Sequence, residues 1–220
     1  MASIQIGDPF PKPSTYLLAL PVLASPISFE QVEERSRNLK DGASSVETIV
    51  RSVYRDSFGR LRTERAGSEP SAVFNGVIQI IDPVAGVILV SIESEKVGYR
   101  LPLPKFSAVS FANFSLAIDE GAASRKWISR TEHLGTQKIE GVEFEGTRIV
   151  ETSEDEPWII KSVEQWHSAD LNLLGLVVVS MPNGSYRARI QNVHRVEPDA
   201  VLFKIPSGYV IRNLPVADKP

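Results

Sequence analysis

Long stretches of this chain alternate polar and apolar residues with a period of two, the pattern that distinguishes β-strands from helices. Residues 46–55 (VETIVRSVYR) and 184–196 (GSYRARIQNVHRV) are clear examples. Turn signals such as Asn183-Gly184, a dipeptide typical of tight hairpins, separate the runs. Because few segments show helical spacing, the sequence predicts about nine to eleven strands and few short helices. The expected fold is mainly β, built on one curved antiparallel sheet whose concave face must be covered or closed.

One segment, residues 28–40, gives conflicting signals. It is rich in Glu and Arg, which favour a helix, but its apolar residues Phe29, Val32 and Leu39 are sparse for a helical stripe. It ends at Asp41-Gly42, which is a hairpin turn signal. From the residues alone, helix and strand both remain open for this segment.

The composition excludes several kinds of site. Among 220 residues there is no cysteine and there are three histidines, so no disulfide, thiolate nucleophile or cysteine-ligated metal site can form. The chain carries 24 basic and 27 acidic residues, a net charge of −3, and nucleic-acid binders usually show a basic excess instead. We therefore expect no nucleic-acid partner.

The N-terminus contains a short apolar run, YLLALPVLA, at residues 16–24. It is too short to cross a bilayer, which needs about 20 apolar residues, and the prolines before it are unusual for a signal peptide. We expect residues 1–27 to be a packed N-terminal arm or a degenerate signal segment, and whether they are cleaved stays open. Residues 28–212 are expected to form a single β domain followed by a tail, 213–220. No integral membrane segment is predicted.

Two arginines are candidate binding residues. Arg60 and Arg62 share one strand face with Glu64 by the period-two rule. Because the guanidinium group suits bidentate recognition of carboxylate or phosphate, these arginines could hold an anionic head group. The alternative is a solvated face with cross-strand ion pairs to the glutamates of residues 143–151, each worth little.

Three aromatic residues are the other candidates. Trp158 and Trp166 fall on one strand face by parity, and Tyr186 could join them from a neighbouring strand. Together they would form either ordinary core or the lining of an apolar cavity. Such a cavity would bind an acyl chain mainly by burying area, at about 25 cal/mol per Å².

Nothing in the sequence points to catalysis, a metal or a cofactor. His133, His167 and His194 fall in or beside three different predicted strands, and no Gly-x-Ser-x-Gly motif occurs. No histidine has the spacing of a recognised metal site. Binding is therefore favoured over catalysis, and no catalytic, metal-ligating or cofactor-binding residue is predicted.

Five strings taken together resemble a group of uncharacterised, secreted, β-rich bacterial proteins. They are YRDSFGRLRTE (54–64), IIDPVAGV (80–87), HLGTQKIEGVEFEGTR (133–148), EQWHSADLNLL (164–174) and NVHRVEPDAVLFKIPSGYVI (192–211). That group is distantly similar to the lipoprotein-carrier-like superfamily, which includes outer-membrane lipoprotein-sorting proteins and envelope-stress regulators. The resemblance covers roughly residues 28–212, although this chain lacks the clear signal peptide of the group.

The resemblance implies a strongly curved half-barrel with an apolar concave face, in which residues 28–40 would be a strand. It implies a non-catalytic protein that binds a lipid, a lipoprotein or another hydrophobic small molecule. The alternatives are a protein-interaction or scaffold domain and an enzyme that uses the same cavity. The implied location is periplasmic or secreted, with the cytoplasm as the alternative. The ligand and the oligomeric state are not predicted.

Overall fold

The computed structural model describes residues 19, 21–38, 43–66, 76–103 and 126–214, which are almost entirely β. Their twelve strands are β1 (Ile27–Asn38), β2 (Ser44–Arg55), β3 (Leu61–Ala66), β4 (Val77–Asp82), β5 (Val87–Ile92), β6 (Val97–Pro102), β7 (Trp127–Ile139), β8 (Val142–Ser153), β9 (Ile160–Ser168), β10 (Leu173–Met181), β11 (Gly184–His194) and β12 (Val210–Asn213). A short 3₁₀ helix, Ala200–Phe203, precedes β12. The predicted fold class is confirmed, and the strand count is slightly above expectation.

The ambiguous segment 28–40 is a strand over most of its length, as the resemblance implied. β1 pairs with β2 along its whole length, from Ile27 opposite Arg55 to Asn38 opposite Ser44. Strand pairing therefore overrides the helix propensity of its Glu and Arg residues. The predicted turn at residues 41–42 lies outside the described residues.

All twelve strands form one curved sheet in the order β12-β6-β5-β4-β3-β2-β1-β11-β10-β9-β8-β7. Most neighbours in the sheet are consecutive in the chain, and β1 pairs with β11 to join the two halves. One pairing differs from the antiparallel expectation, because β12 runs parallel to β6. After β11, the chain crosses to the far edge of the sheet before β12 begins. No hairpin therefore joins β12 to β6, and the two strands run in the same direction.

The register assigns every paired side chain to one of two faces, because directly opposed residues point to the same side. We call one of them the apolar face. Its buried apolar residues include Ile27, Phe29, Ile49, Val53, Leu61, Ile81, Val163, Val177, Val179, Ala188 and Ile190. The other, called the opposite face, carries charged residues such as Glu30, Arg62, Glu164 and Arg187.

Residues 197–214, here called the C-terminal strap, lie on the opposite face of β3 and β6. Arg62 donates to the carbonyl oxygen of Leu202 at 2.7 Å. A Cβ on Gly98 would lie 2.7 Å from Cδ1 of Ile205, so a larger residue there would displace the side chain of Ile205. The strap ends in β12, which completes that edge of the sheet.

At the other end of the chain, residues 21–26 lie against the loop between β2 and β3. The amide of Ala24 donates to the carbonyl oxygen of Ser57 at 2.9 Å. Before this segment, Ala19 is fully buried and forms an isolated bridge with Leu173. The rest of the predicted arm, residues 1–18 and 20, lies outside the described residues, as do residues 215–220 of the predicted tail. In the described ranges no helix is long and apolar enough to cross a membrane.

Candidate ligand-binding face

The apolar face is best developed on β10 and β11, two neighbouring strands near the centre of the sheet. β10 supplies Val177 and Val179, which are fully buried, and β11 supplies Ala188 and Ile190 beside them. The sequence of β10, LLGLVVVSM, is apolar almost throughout, as expected for a strand in the middle of a sheet. Within the described ranges, every strand belongs to this one sheet.

A buried ionic cluster interrupts the apolar face on β1 and β2. Glu33 has a fully buried side chain, and its Oε1 accepts hydrogen bonds from Nε of Arg51 at 2.8 Å and from Nε2 of Gln31 at 2.9 Å. Its Oε2 lies 3.4 Å from Arg35, whose guanidinium stacks over the Tyr186 ring. A buried carboxylate is tolerated only when it is paired and hydrogen-bonded, and this one is both.

Sequence reasoning missed this cluster, although a signal for it existed. Ile27 and Phe29 alternate on the apolar face, and the same period of two continues through Gln31, Glu33 and Arg35. The change from apolar side chains to Gln31, Glu33 and Arg35 along one face indicates a polar patch on that part of the sheet. Only the pairing of Gln31 opposite Arg51 reveals which cation neutralises the carboxylate.

A second buried charge lies at the end of β2. Arg55 is fully buried, and it donates to the carbonyl oxygens of Ser25 at 2.8 Å and Leu171 at 2.6 Å. Burial disfavours the charged guanidinium and lowers the pKa of Arg55 to about 10. The two carbonyl acceptors offset part of that cost, so Arg55 ties the N-terminal segment to the chain just before β10.

The structure does not bring the three predicted aromatic residues together. Trp158 precedes β9, which begins at Ile160, so strand parity does not apply to it, and its side chain is 75% exposed. Trp166 is buried on the opposite face with Glu164. Of the three, only Tyr186 points to the apolar face, where it lies opposite Arg35 and Val179.

Trp166 belongs to an ionic ladder on the opposite face of β7, β8 and β9. Its Nε1 donates to Glu164 at 2.8 Å, Arg148 donates to Glu164 at 2.7 Å, and Arg148 also lies 3.5 Å from Glu132. Burial alone would raise the pKa of Glu164, but the hydrogen bonds from Trp166 and Arg148 and the charges of Arg148 and Arg187 outweigh it, so that pKa is lowered. The hydrogen bond to Glu164 is the main reason that the pKa of Arg148 is raised.

Arg60 and Arg62 contact the C-terminal strap. Arg60 donates to Asp56 at 2.6 Å and stacks over the ring of Phe203, which is buried. Arg62 is ion-paired with Glu64 and bonded to the carbonyl of Leu202. The alternative expectation, ion pairs with glutamates 143–151, is wrong, because β8 lies at the far side of the sheet from β3.

The histidines do not form a site in the described part of the chain. Nε2 of His167 lies 3.4 Å from Oδ1 of Asn172, at the end of β9. His133 lies in β7 and His194 ends β11. Within the described ranges, no group of three or more His, Asp and Glu residues is arranged to hold a metal ion.

Comparison with known proteins finds a resemblance in structure alone. No family model and no curated protein matches the sequence. Among solved structures, Mycobacterium tuberculosis lipoprotein LppX matches with a TM-score of 0.35 at 11% identity, over 78% of this chain and 88% of that chain. A LolA superfamily protein from Nitrosomonas europaea matches with a TM-score of 0.37 at 11% identity, over 85% and 93%. The Pseudomonas aeruginosa MucA/MucB complex matches with a TM-score of 0.42 at 13% identity, over 81% and 55%.

These are similarities of fold alone, at 11–13% identity and with TM-scores of 0.35–0.42, so they assign no function to this chain.

Proposed function

We propose that this chain is a non-catalytic binding protein whose apolar face holds a hydrophobic ligand, such as the acyl chain of a lipid or a lipoprotein. The observation that carries the proposal is the apolar face of the sheet, which is buried where Val177, Val179, Ala188 and Ile190 lie and partly exposed at Ile149 and Met181. An acyl chain laid along such a face gains about 25 cal/mol for each Å² of apolar surface removed from water.

The buried ionic cluster limits where an apolar ligand can lie. Glu33 and its donors Gln31 and Arg51 interrupt the face on β1 and β2, and an acyl chain crossing them would gain no apolar contact there. On one side of the cluster, β10 and β11 present Val177, Val179, Ala188 and Ile190 on the apolar face, whereas β9 presents Lys161 and Gln165 beside Val163. We therefore place the ligand along β10 and β11.

The first test identifies the ligand. The full chain is purified from its own host, examined by native mass spectrometry, and extracted with organic solvent for lipid analysis. A bound lipid or acylated peptide, together with a rise in melting temperature on adding palmitate, supports the proposal. If no small molecule is bound and palmitate leaves the melting temperature unchanged, the proposal fails.

The second test locates the ligand with a single cysteine in a chain that has none. Met181→Cys places a thiol on the apolar face of β10, and Val178→Cys places one on the opposite face of the same strand; both positions are half-buried. An environment-sensitive thiol dye is attached to each variant, and palmitate is titrated in. A blue shift for Met181→Cys alone is expected, whereas equal responses of the two variants contradict binding on the apolar face.

We also propose that residues 19 and 21–26 remain part of the mature protein, and that the protein functions in the periplasm or outside the cell. The burial of Ala19 and the hydrogen bond from Arg55 to Ser25 support retention. The sequence resemblance supports the location. Fractionation of the host and the intact mass of the purified chain test both, since cleavage after residue 26 would contradict retention.

A further inference from the structure

One edge of the sheet is a long strand with an open outer side. β7 runs from Trp127 to Ile139 and pairs on its inner side with β8. Within the described ranges, no strand pairs with its outer side. Most of its residues are exposed, and Ile128, a large apolar residue, is 58% exposed. An exposed edge of this length is a template for another strand, unless charge or a bulge prevents pairing.

The ionic ladder runs to this edge and stops there. Glu132, Arg148 and Glu164 lie directly opposite one another on β7, β8 and β9, so the charge alternates in sign from strand to strand. At the edge, the Arg130 side chain is 78% exposed and lies 3.4 Å from Glu132. A strand added outside β7 would continue the ladder if it placed a cation opposite Glu132 and an anion opposite Arg130.

We propose that this strand is β7 of a second copy of the chain, paired antiparallel about a two-fold axis at Thr131. In this register, Arg130 of each copy lies opposite Glu132 of the other, so both ladders continue across the interface. A two-fold axis requires every contact to occur twice: where Arg130 of one copy contacts Glu132 of the other, Glu132 of the first copy contacts Arg130 of the second. The ion pairs therefore form twice.

Neighbouring registers are unfavourable for charge reasons. An axis at Arg130 places two guanidinium groups directly opposite each other, and an axis at Glu132 does the same with two carboxylates. With the axis at Thr131, Ser129 faces His133. The pairing ends there, because β7 has an irregularity between His133 and Gly135. Pairing of this length lies at the small end of stable interfaces, so dimer formation depends on concentration.

The register is tested by cross-linking in the cysteine-free full-length chain. Directly opposed Cα atoms of antiparallel strands lie about 4.5–5.5 Å apart, within the span of a disulfide. Thr131→Cys is therefore expected to form a disulfide-linked dimer under mild oxidation. Thr136→Cys, at an exposed position of the same strand, is the matched control and is expected to stay monomeric.

Mixing two different cysteine variants gives a second test of the register. Ser129→Cys and His133→Cys are each about 13 Å from their own symmetry equivalent but directly opposite each other. Each variant alone should remain uncross-linked, whereas an equimolar mixture should yield a heterodimer. Equal cross-linking of Thr131→Cys and Thr136→Cys, or no heterodimer in the mixture, overturns the proposed register.

Dimer formation itself is measured by analytical ultracentrifugation over a concentration series. Arg130→Glu places four carboxylates together at the interface and should weaken the dimer at least tenfold. The far-ultraviolet circular dichroism spectrum should not change, because the side chain is exposed. A wild-type chain that remains monomeric at all concentrations overturns the proposal, and so does an undiminished Arg130→Glu dimer. Either result leaves ligand binding on the apolar face untouched.

Discussion

Glu33 and Arg51 form an ion pair on the apolar face, with 2.8 Å between Oε1 and Nε and with the carboxylate side chain fully buried. Glu33→Ala removes the anion and leaves the guanidinium groups of Arg51 and Arg35 in a poorly solvated place. We expect a loss of about 3–5 kcal/mol in the free energy of unfolding, measured by urea denaturation. Glu34→Ala, one residue along and on the opposite face, should cost less than about 1 kcal/mol. Equal losses of stability in the two variants would contradict a stabilising buried ion pair between Glu33 and Arg51.

Arg55 should hold the N-terminal segment in place. Arg55→Met keeps much of the side-chain volume but removes the donors to Ser25 and Leu171, so we expect a loss of about 3 kcal/mol. Residues 21–26 should also exchange their amide hydrogens faster, which mass spectrometry measures. Arg65→Met, at the far end of β3, is the control for loss of a charge. Unchanged exchange in Arg55→Met would mean that other contacts hold the segment.

The C-terminal strap should depend on one aromatic side chain. Phe203 is 3% exposed and lies under the guanidinium of Arg60, whereas Val201 in the same 3₁₀ helix is 61% exposed. Phe203→Ala should therefore cost about 3–5 kcal/mol in urea denaturation. Val201→Ala is the matched control and should change stability by less than about 0.5 kcal/mol. A small loss for Phe203→Ala would show that the strap is held by its backbone contacts instead.

The effects of substitutions at Gly146 and Trp166 on the free energy of unfolding should depend on each other. A Cβ on Gly146 would lie 2.6 Å from Cζ3 of the Trp166 ring, so Gly146→Ala forces the indole to move. We expect a loss of about 1–3 kcal/mol and a red shift in tryptophan emission. Trp166→Leu makes room for the methyl group, so the double variant should lose less than the sum of the single variants. Strictly additive losses in this double-mutant cycle would contradict the contact.

Acid sensitivity should depend on Glu164. Because the folded state lowers the pKa of this carboxyl, the stability that its charge contributes is present above the ordinary glutamate pKa of about 4.3 and is lost as the pH falls through the lower, folded-state pKa. Glu164→Gln should flatten the fall in unfolding free energy below about pH 5. Trp166→Phe, which removes one donor, should flatten it less. If the free energy of unfolding falls equally steeply with decreasing pH in the wild type, Glu164→Gln and Trp166→Phe, this role of Glu164 is contradicted.

Much of the strand layout follows from local sequence. The period-two run at 46–55 is β2, and Asn183-Gly184 connects β10 to β11, because alternation and turn chemistry depend on neighbouring residues alone. The site was less predictable. Trp166 and Tyr186 lie on opposite faces, and Trp158, which was expected in the same strand as Trp166, precedes β9. Parity cannot relate two strands until their register is known.

The sequence by itself determined a mainly β chain without cysteine chemistry, in which period-two alternation places successive side chains on opposite sides of each strand. Only the tertiary structure decided which side of each strand joins the apolar face. It also decided that β1 meets β11, and that the carboxylate of Glu33 is neutralised by Arg51 from the next strand. The physical reason is that long-range pairing and buried charge compensation depend on residues far apart in the chain, and local propensity carries no information about them.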